Sequence, residues 1–186
     1  MKNESKRQLV HIFLFLLAFL LKFLNRWQAA LLLLGLLLLA FYIIPRLRIK
    51  SYFYRHHEDK YSQGAILYFL ALLILVFIFP LYIVAAAWAI LALGDGTATL
   101  IGKNFKVREL PWNRDKSYIG TISFIIFGTL GALIMLKWMG VATDASLLSI
   151  SFKTAVVAAI VESLPWRVND NFSVAVVSAV TLAFLI

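Results

Sequence analysis

The sequence predicts an all-α fold, a polytopic transmembrane helix bundle of about seven spans that forms a single membrane-embedded domain over residues 1–186. Three observations predict it. Hydrophobic residues make up 62% of the chain, more than the half that soluble domains typically reach. Charged residues are 15% and clustered, leaving long uncharged runs such as 31–44 and 65–93. The period-two alternation of a lipid-facing barrel strand is absent. Lipid offers no partner for backbone amides, so helices, which bond their own backbone, are the expected spanning element.

In chain order, the spans are read at residues 9–24, 27–44, 65–79, 81–101, 118–136, 147–163 and 172–186. A crossing takes about 20 helical residues, within a range of about 17–25; the first and third runs are slightly short. The basic, then apolar, start of the chain has no small-residue cleavage site before Asn25, so it is read as a retained first helix. The run 65–93 is too long for one upright crossing and carries Pro80 near its middle. Proline removes a helical hydrogen bond and clashes with the preceding turn, which marks a hairpin or a kink. Charge decides for the hairpin. It places Lys2, Lys6 and Arg7, the basic loop 45–63, the basic loop 102–117 and Arg167 on one side, and leaves Lys22, Arg26 and Lys137 on the other. Basic loops stay cytoplasmic, so the N-terminus and the motif loops are expected in the cytoplasm and the C-terminus on the far side.

The net charge is +9. The basic residues lie between apolar runs, so membrane topology accounts for them and no nucleic-acid partner is implied. Cysteine is absent, which excludes a disulfide framework, a thiolate nucleophile and a zinc–thiolate site.

Three segments carry candidate chemistry. In the first, Asp95 sits at or just inside the membrane boundary, where a carboxylate is costly and needs a cationic partner such as Mg²⁺ or a lysine. Asp95 and Thr99 are spaced to share one helix face, and Gly94 and Gly96 permit close approach of a backbone or ligand. Lys103, Arg114 and Lys116 offer positive charge for phosphates. Ser117 and the amides after it open the fifth helix, whose N-terminus favours an anion. Composition alone also allows a plain polar helix end followed by a solvated basic loop, and no Walker-type phosphate loop occurs. In the second segment, Glu162 ends an apolar span at the helix end the macrodipole disfavours for an acid. Asp170 and Asn171 precede the last helix, where an N-cap is the plain reading for Asp170. The topology returns Asp95, Glu162 and Asp170 to one face, and three carboxylates beside a basic loop suit Mg²⁺ and a nucleotide.

In the third segment, Arg7 and His11 are one helical turn apart at the start of the first span, which also reads as a basic membrane anchor. His56-His57-Glu58-Asp59 lacks the second ligand pair a metal site needs. Trp88, Trp112, Trp138 and Trp166 read as interfacial or packing residues.

Together these segments resemble the dolichol kinase, phytol kinase and CTP-dependent diacylglycerol kinase family. The family pattern of Glu, two residues, Arg-Lys, two residues, His is similar to Glu4, Arg7, Gln8 and His11, with glutamine in place of the lysine. Gly64-Ala65-Ile66-Leu67-Tyr68-Phe69 looks like the family's third-span start. Gly94-Asp95-Gly96-Thr97-Ala98, Gly102-Lys103 and Lys116-Ser117-Tyr118-Ile119-Gly120 match its central motifs in order, and Glu162 with Asp170-Asn171 matches its late acidic pair. Lys106 replaces a usual glycine and Ala175 a usual proline; neither departure removes a charged candidate.

The resemblance implies a kinase that transfers a phosphoryl group from a nucleoside triphosphate, CTP or ATP with CTP expected, to a lipid alcohol such as phytol, a polyprenol, dolichol or diacylglycerol. It implies Asp95 as Mg²⁺ ligand or general base, and Glu162 and Asp170 as the rest of the metal set. Gly94, Gly96, Thr99, Gly102, Lys103, Arg114, Lys116, Ser117 and Gly120 are expected around the nucleotide. Arg7, His11 and Asn171 are expected to close or orient the site. Membrane lipids are the other expected partners; a homo-oligomer is left open. The alternative is a small lipid or ion transporter whose intramembrane acids mark a path, and a non-catalytic helical scaffold is a third reading.

Overall fold

The computed structural model describes residues 2–46, 61–105, 108–142, 146–166 and 168–186. Within them every predicted apolar run is helical. Helix α1 (Lys2–Phe13) continues through α2 (Phe15–Ala18) into a 3-10 turn at Phe19–Phe23. Helix α3 (Arg26–Leu38) is opened by a capping box in which Asn25 and Gln28 each accept the other's backbone amide at 2.9 Å. Helix α4 (Gln63–Ile78) is capped by Ser62, whose Oγ accepts from the Ala65 amide at 3.4 Å. Helix α5 (Leu81–Ala89) passes through a π-helical segment, Ile90–Asp95, into α6 (Gly96–Asn104). After strands β1 (Glu109–Leu110) and β2 (Asn113–Ser117) come α7 (Tyr118–Trp138), α8 (Leu147–Ser163) and α9 (Asp170–Leu185).

The all-α expectation holds, with a two-stranded antiparallel hairpin added. That hairpin replaces part of the expected basic loop 102–117. Leu110 pairs with Asn113, leaving Pro111 and Trp112 at the turn, where proline's fixed φ suits the first corner position. The fourth helix also runs past 101 to Asn104. The count of seven spans is corrected. Among the described residues three helices are long and apolar enough to cross a membrane: Arg26–Arg46, Leu81–Asn104 and Tyr118–Trp138. At about 1.5 Å of rise per residue, the 16 or 17 residues of α4, α8 and α9 fall short of a hydrocarbon core of about 30 Å. Arg48, Lys50, Arg55 and Lys60 of the basic loop 45–63, the His56–Asp59 motif, Lys106 and Arg167 lie outside the described residues, as does the Glu4 side chain.

The break at Pro80 is a hairpin. Phe79 and Pro80 are extended, with ψ of 159° and 149°, and Trp88 Nε1 donates to the Tyr68 hydroxyl at 2.7 Å across a separation of 20 residues. In a continuous helix those residues would stand about 30 Å apart. The same bond makes Trp88 a packing residue, fully buried, and not part of an interfacial belt.

The helix from Leu81 to Asn104 is the central post, most of it buried by its neighbours. Its run Ala85-Ala86-Ala87 keeps side chains small, so α7 and α9 pack close to it. Near its C-terminal end, Gly102 faces Gly120 at the start of α7. A Cβ on Gly120 would lie 2.9 Å from the Ala98 carbonyl oxygen. Backbone cannot yield as a side chain can, so Gly120→Leu is expected to lower stability by about 1–3 kcal/mol, read as a drop in thermal midpoint in detergent. At the other end of α7, Lys22 Nζ donates to the Trp138 carbonyl at 2.7 Å and lies 4.6 Å from its ring centroid. This contact ties the first helical run to the end of α7 remote from Ser117.

Candidate active site

Asp95 is placed by the π-helical segment that it terminates. A π turn fits an extra residue into a helix and re-aims the side chains beyond it. It is braced from α1: His11 Nε2 donates to the Leu91 carbonyl at 3.0 Å, so Nε2 carries the proton. The same nitrogen lies 3.7 Å from Asp95 Oδ2, and the ring meets Tyr68 edge to face with centroids 4.8 Å apart. Asp95 itself is buried.

Glu162 lies in the last turn of α8, also buried. Its charge is opposed by the helix C-terminus and must be balanced from elsewhere. Lys116 of β2 supplies the balance: its Nζ donates to Glu162 Oε1 and, at 2.7 Å, to Asp170 Oδ2. The hairpin that carries Lys116 is pinned to the end of α8. Asn113 Nδ2 donates to the Ser163 carbonyl at 3.1 Å and Trp112 Nε1 to its hydroxyl at 3.3 Å. Helix-end carbonyls lack an intrahelical donor, so Asn113 fills a need that α8 creates. Its Oδ1 meanwhile accepts from the Asp115 amide at 3.2 Å, shaping the strand that leads to Lys116. Asn113→Ala is expected to lower stability by about 1 kcal/mol, the scale of one lost hydrogen bond, read as a drop in thermal midpoint in detergent.

Asp170 does not cap α9. Asn169 does, its side chain accepting from the Asn171 amide at 3.1 Å. Both residues are competent caps; with Asn169 one position earlier in that role, the Asp170 carboxylate is available to Lys116. The outcome is a cluster in which ligand oxygens of Asp95, Glu162 and Asp170 all lie within 4.8 Å of one another. Burial works against charge on Lys116, but attraction to Glu162, Asp95 and Asp170 outweighs it and raises its pKa above the ordinary lysine value. A raised pKa of this kind stabilises the fold below the unfolded-state value and loses that contribution only as pH rises through the folded one. Lys116 therefore stays cationic throughout the neutral range.

The cluster lines an open cavity of about 1330 Å³. Arg7, Lys103, Arg108 and Arg114 are also on its wall, as are Thr99, Gly102, Ser117 and Gly120. Asp95 and Thr99 thus share one cavity, as their spacing predicts. Ser117 doubles as the N-cap of α7, accepting from the Gly120 amide at 3.2 Å. Four expected site residues stand off the wall. A Cβ on Gly94 would meet Phe124 at 3.0 Å and one on Gly96 would meet Ile12 at 2.6 Å, so both glycines serve helix packing. His11 stands behind Asp95. Asn171 Nδ2 donates to the Gly64 carbonyl at 2.8 Å, joining α9 to α4. Arg108 and Asn113, to which the sequence reading gave no site role, also line the cavity, and Trp112, read as interfacial or packing, helps pin the hairpin to α8. The Leu110-Pro111-Trp112-Asn113 turn was the available signal.

The three carboxylates form the hard-oxygen donor set that a small divalent cation takes. Oxygens bound to one such ion at about 2.1 Å lie no more than about 4.2 Å apart, so the cluster fits after a small inward movement and displacement of the Lys116 ammonium.

The chain is 32% identical over 150 residues to a protein described as a probable chloroplastic phytol kinase of Triticum aestivum, covering 74% of this chain and 49% of the relative. It is 30% identical over 152 residues to the chloroplastic phytol kinase 1 of Arabidopsis thaliana, covering 73% and 48%. With the chloroplastic farnesol kinase of Arabidopsis thaliana it shares 30% identity over 95 residues, 48% and 31% of the two chains. The chain spans about half the length of the first two relatives. No family model matches it, and no solved structure does.

Proposed function

The chain belongs to the phytol kinase-like family, and from that premise we propose that it is a membrane-embedded kinase moving a phosphoryl group from a nucleoside triphosphate to the hydroxyl of a lipid alcohol. The observation that carries the proposal is the meeting of Asp95, Glu162 and Asp170 with Lys116 in one cavity whose wall also holds Arg7, Lys103, Arg108 and Arg114. Phosphoryl transfer asks mainly for alignment and for neutralisation of charge on the phosphate oxygens. An acidic patch facing basic residues answers both needs.

In this reading Asp95, Glu162 and Asp170 would hold Mg²⁺, which would supply neutralisation of charge on the transferring phosphate. Asp95, buried and braced by the His11 contact, is ligand or base for the alcohol proton. Lys103, Arg114 and Lys116 hold phosphates, with Lys116 leaving its two carboxylates as it does so. Ser117 and Gly120 keep the α7 terminus close to the same cavity. The nucleotide, CTP in the first instance, arrives from the aqueous side, taken as cytoplasmic. The lipid stays in the bilayer, which the long apolar helices Arg26–Arg46, Leu81–Asn104 and Tyr118–Trp138 can cross. The transport alternative has less support, because Glu162 and Asp170 lie at helix termini and not along a path through the middle of the bundle.

Membranes containing the chain are incubated with γ-labelled CTP or ATP and a panel of prenyl alcohols and diacylglycerol. Label is expected in an organic-soluble monophosphate, with CTP preferred. Absence of label with every alcohol and both donors rejects the kinase.

A further inference from the structure

The cavity wall is not uniform. Most of it is charged or polar, and an alkyl chain laid against those groups would strip their water without replacing it. One stretch differs. The connection between α8 and α9 places Leu164, Pro165, Trp166 and Val168 on the wall, and Leu67 of α4 lines the same cavity. Connecting segments are ordinarily polar where they meet water. Here Trp166 is 58% and Val168 48% exposed, with tryptophan the residue that favours a membrane–water boundary. In sequence the four apolar residues of this connection lie between Glu162 and Asp170, the two carboxylates that hold Lys116, with Arg167 of the same connection outside the described residues. The Asn171–Gly64 hydrogen bond of 2.8 Å fixes the start of α4 against the start of α9, and Leu67 follows one helical turn after Gly64.

We propose that the gap between the α8–α9 connection and the start of α4 seats the apolar chain of the lipid alcohol next to its hydroxyl. An aliphatic or isoprenoid segment lies there on Leu67, Leu164, Trp166 and Val168. The proposal rests on the kinase reading and adds to it the place where the acceptor's apolar chain lies. Geometry supplies the reason. A chain seated on a connection bounded by Glu162 and Asp170 has its first carbons beside the carboxylates, while its remainder leaves toward lipid over exposed apolar side chains. The basic residues on the rest of the wall are then left for the polyphosphate.

The test uses a twenty-carbon isoprenoid alcohol carrying a diazirine near the hydroxyl, irradiated in membranes containing the full chain. Label is expected in the peptide spanning 164–169 or at Leu67, and unlabelled alcohol but not CTP is expected to suppress it. Label confined to other segments overturns the seat. Leu67→Trp is expected to raise KM for the alcohol at least tenfold while KM for CTP stays within twofold. Val168→Asp, on an exposed position that tolerates the change, is expected to show the same split. Equal shifts in both KM values, or none, overturn the proposal. Cross-linking needs no turnover, so the two readings fail separately. Label at the seat with no phosphoryl transfer rejects the kinase and keeps the seat, whereas transfer with label elsewhere does the reverse.

Discussion

Replacing Asp95 with asparagine is expected to lower phosphoryl transfer at least about a thousandfold while leaving the chain folded. Loss of a preorganised charged group at the point where charge develops costs on that scale. Asparagine keeps the shape of aspartate but offers neither a proton acceptor of useful strength nor an anionic ligand oxygen. Folding is expected to survive because Asp95 shares its site with Glu162 and Asp170, and removing one of three neighbouring negative charges relieves repulsion. The measurement is single-turnover transfer from labelled CTP, paired with a thermal midpoint in detergent. Turnover within twofold of the unaltered chain would remove Asp95 from the chemistry. A lost midpoint would assign it to structure instead.

Lys116→Met is expected to strike both stability and activity. Lys116 donates to Glu162 and Asp170 together, with Glu162 almost wholly buried. Taking one partner from a buried ion pair strands the other, at about 3 kcal/mol. Two outcomes separate this account from a general packing defect. Lys116→Met combined with Glu162→Gln should recover part of the lost midpoint without recovering transfer, because the stranded charge is gone but the machinery is still incomplete. Millimolar Mg²⁺ should raise the midpoint of Lys116→Met more than that of the unaltered chain, because the ammonium no longer competes for the three carboxylates. Equal Mg²⁺ responses would sink the competition.

The features that were legible in the sequence are those written in composition over many residues. Each apolar run became a helix, and the basic segments on either side of the 65–93 run implied the hairpin at Pro80 that the Tyr68–Trp88 bond displays. Asp95 and Glu162 were marked by their cost in apolar surroundings, whereas Asp170 read plainly as a cap, and their meeting was expected from a seven-span topology that the helix lengths do not support. What stayed hidden turns on single residues. The π-helical segment before Asp95 differs from an α-helix by one residue of register, which leaves no compositional trace. Strand Glu109–Leu110 has two residues, too few to show alternation. Asn169 and Asp170 are equally good caps, and only the position of Lys116 decides which of them is released. Glycines that admit a ligand and glycines that admit a neighbouring helix look alike in sequence, and only the structure shows Phe124 packed against Gly94 and Ile12 against Gly96. Helix lengths near the minimum for a crossing were likewise beyond what hydrophobic runs define.

The π-helical segment Ile90–Asp95 also decides how the central helix responds to a change in its length. With about 3.6 residues per turn, each residue contributes about 100° of rotation. Deleting one residue within the segment removes the extra residue and lets it relax to ordinary α-helical bonding with Asp95 and Thr99 near their present aim, whereas deleting one from the regular turns of Leu81–Ala89 turns both as one piece relative to the part of the helix before the deletion. The segment therefore tolerates the loss of one residue, while a length change in the regular turns before it would swing the Asp95 carboxylate away from Glu162 and Asp170.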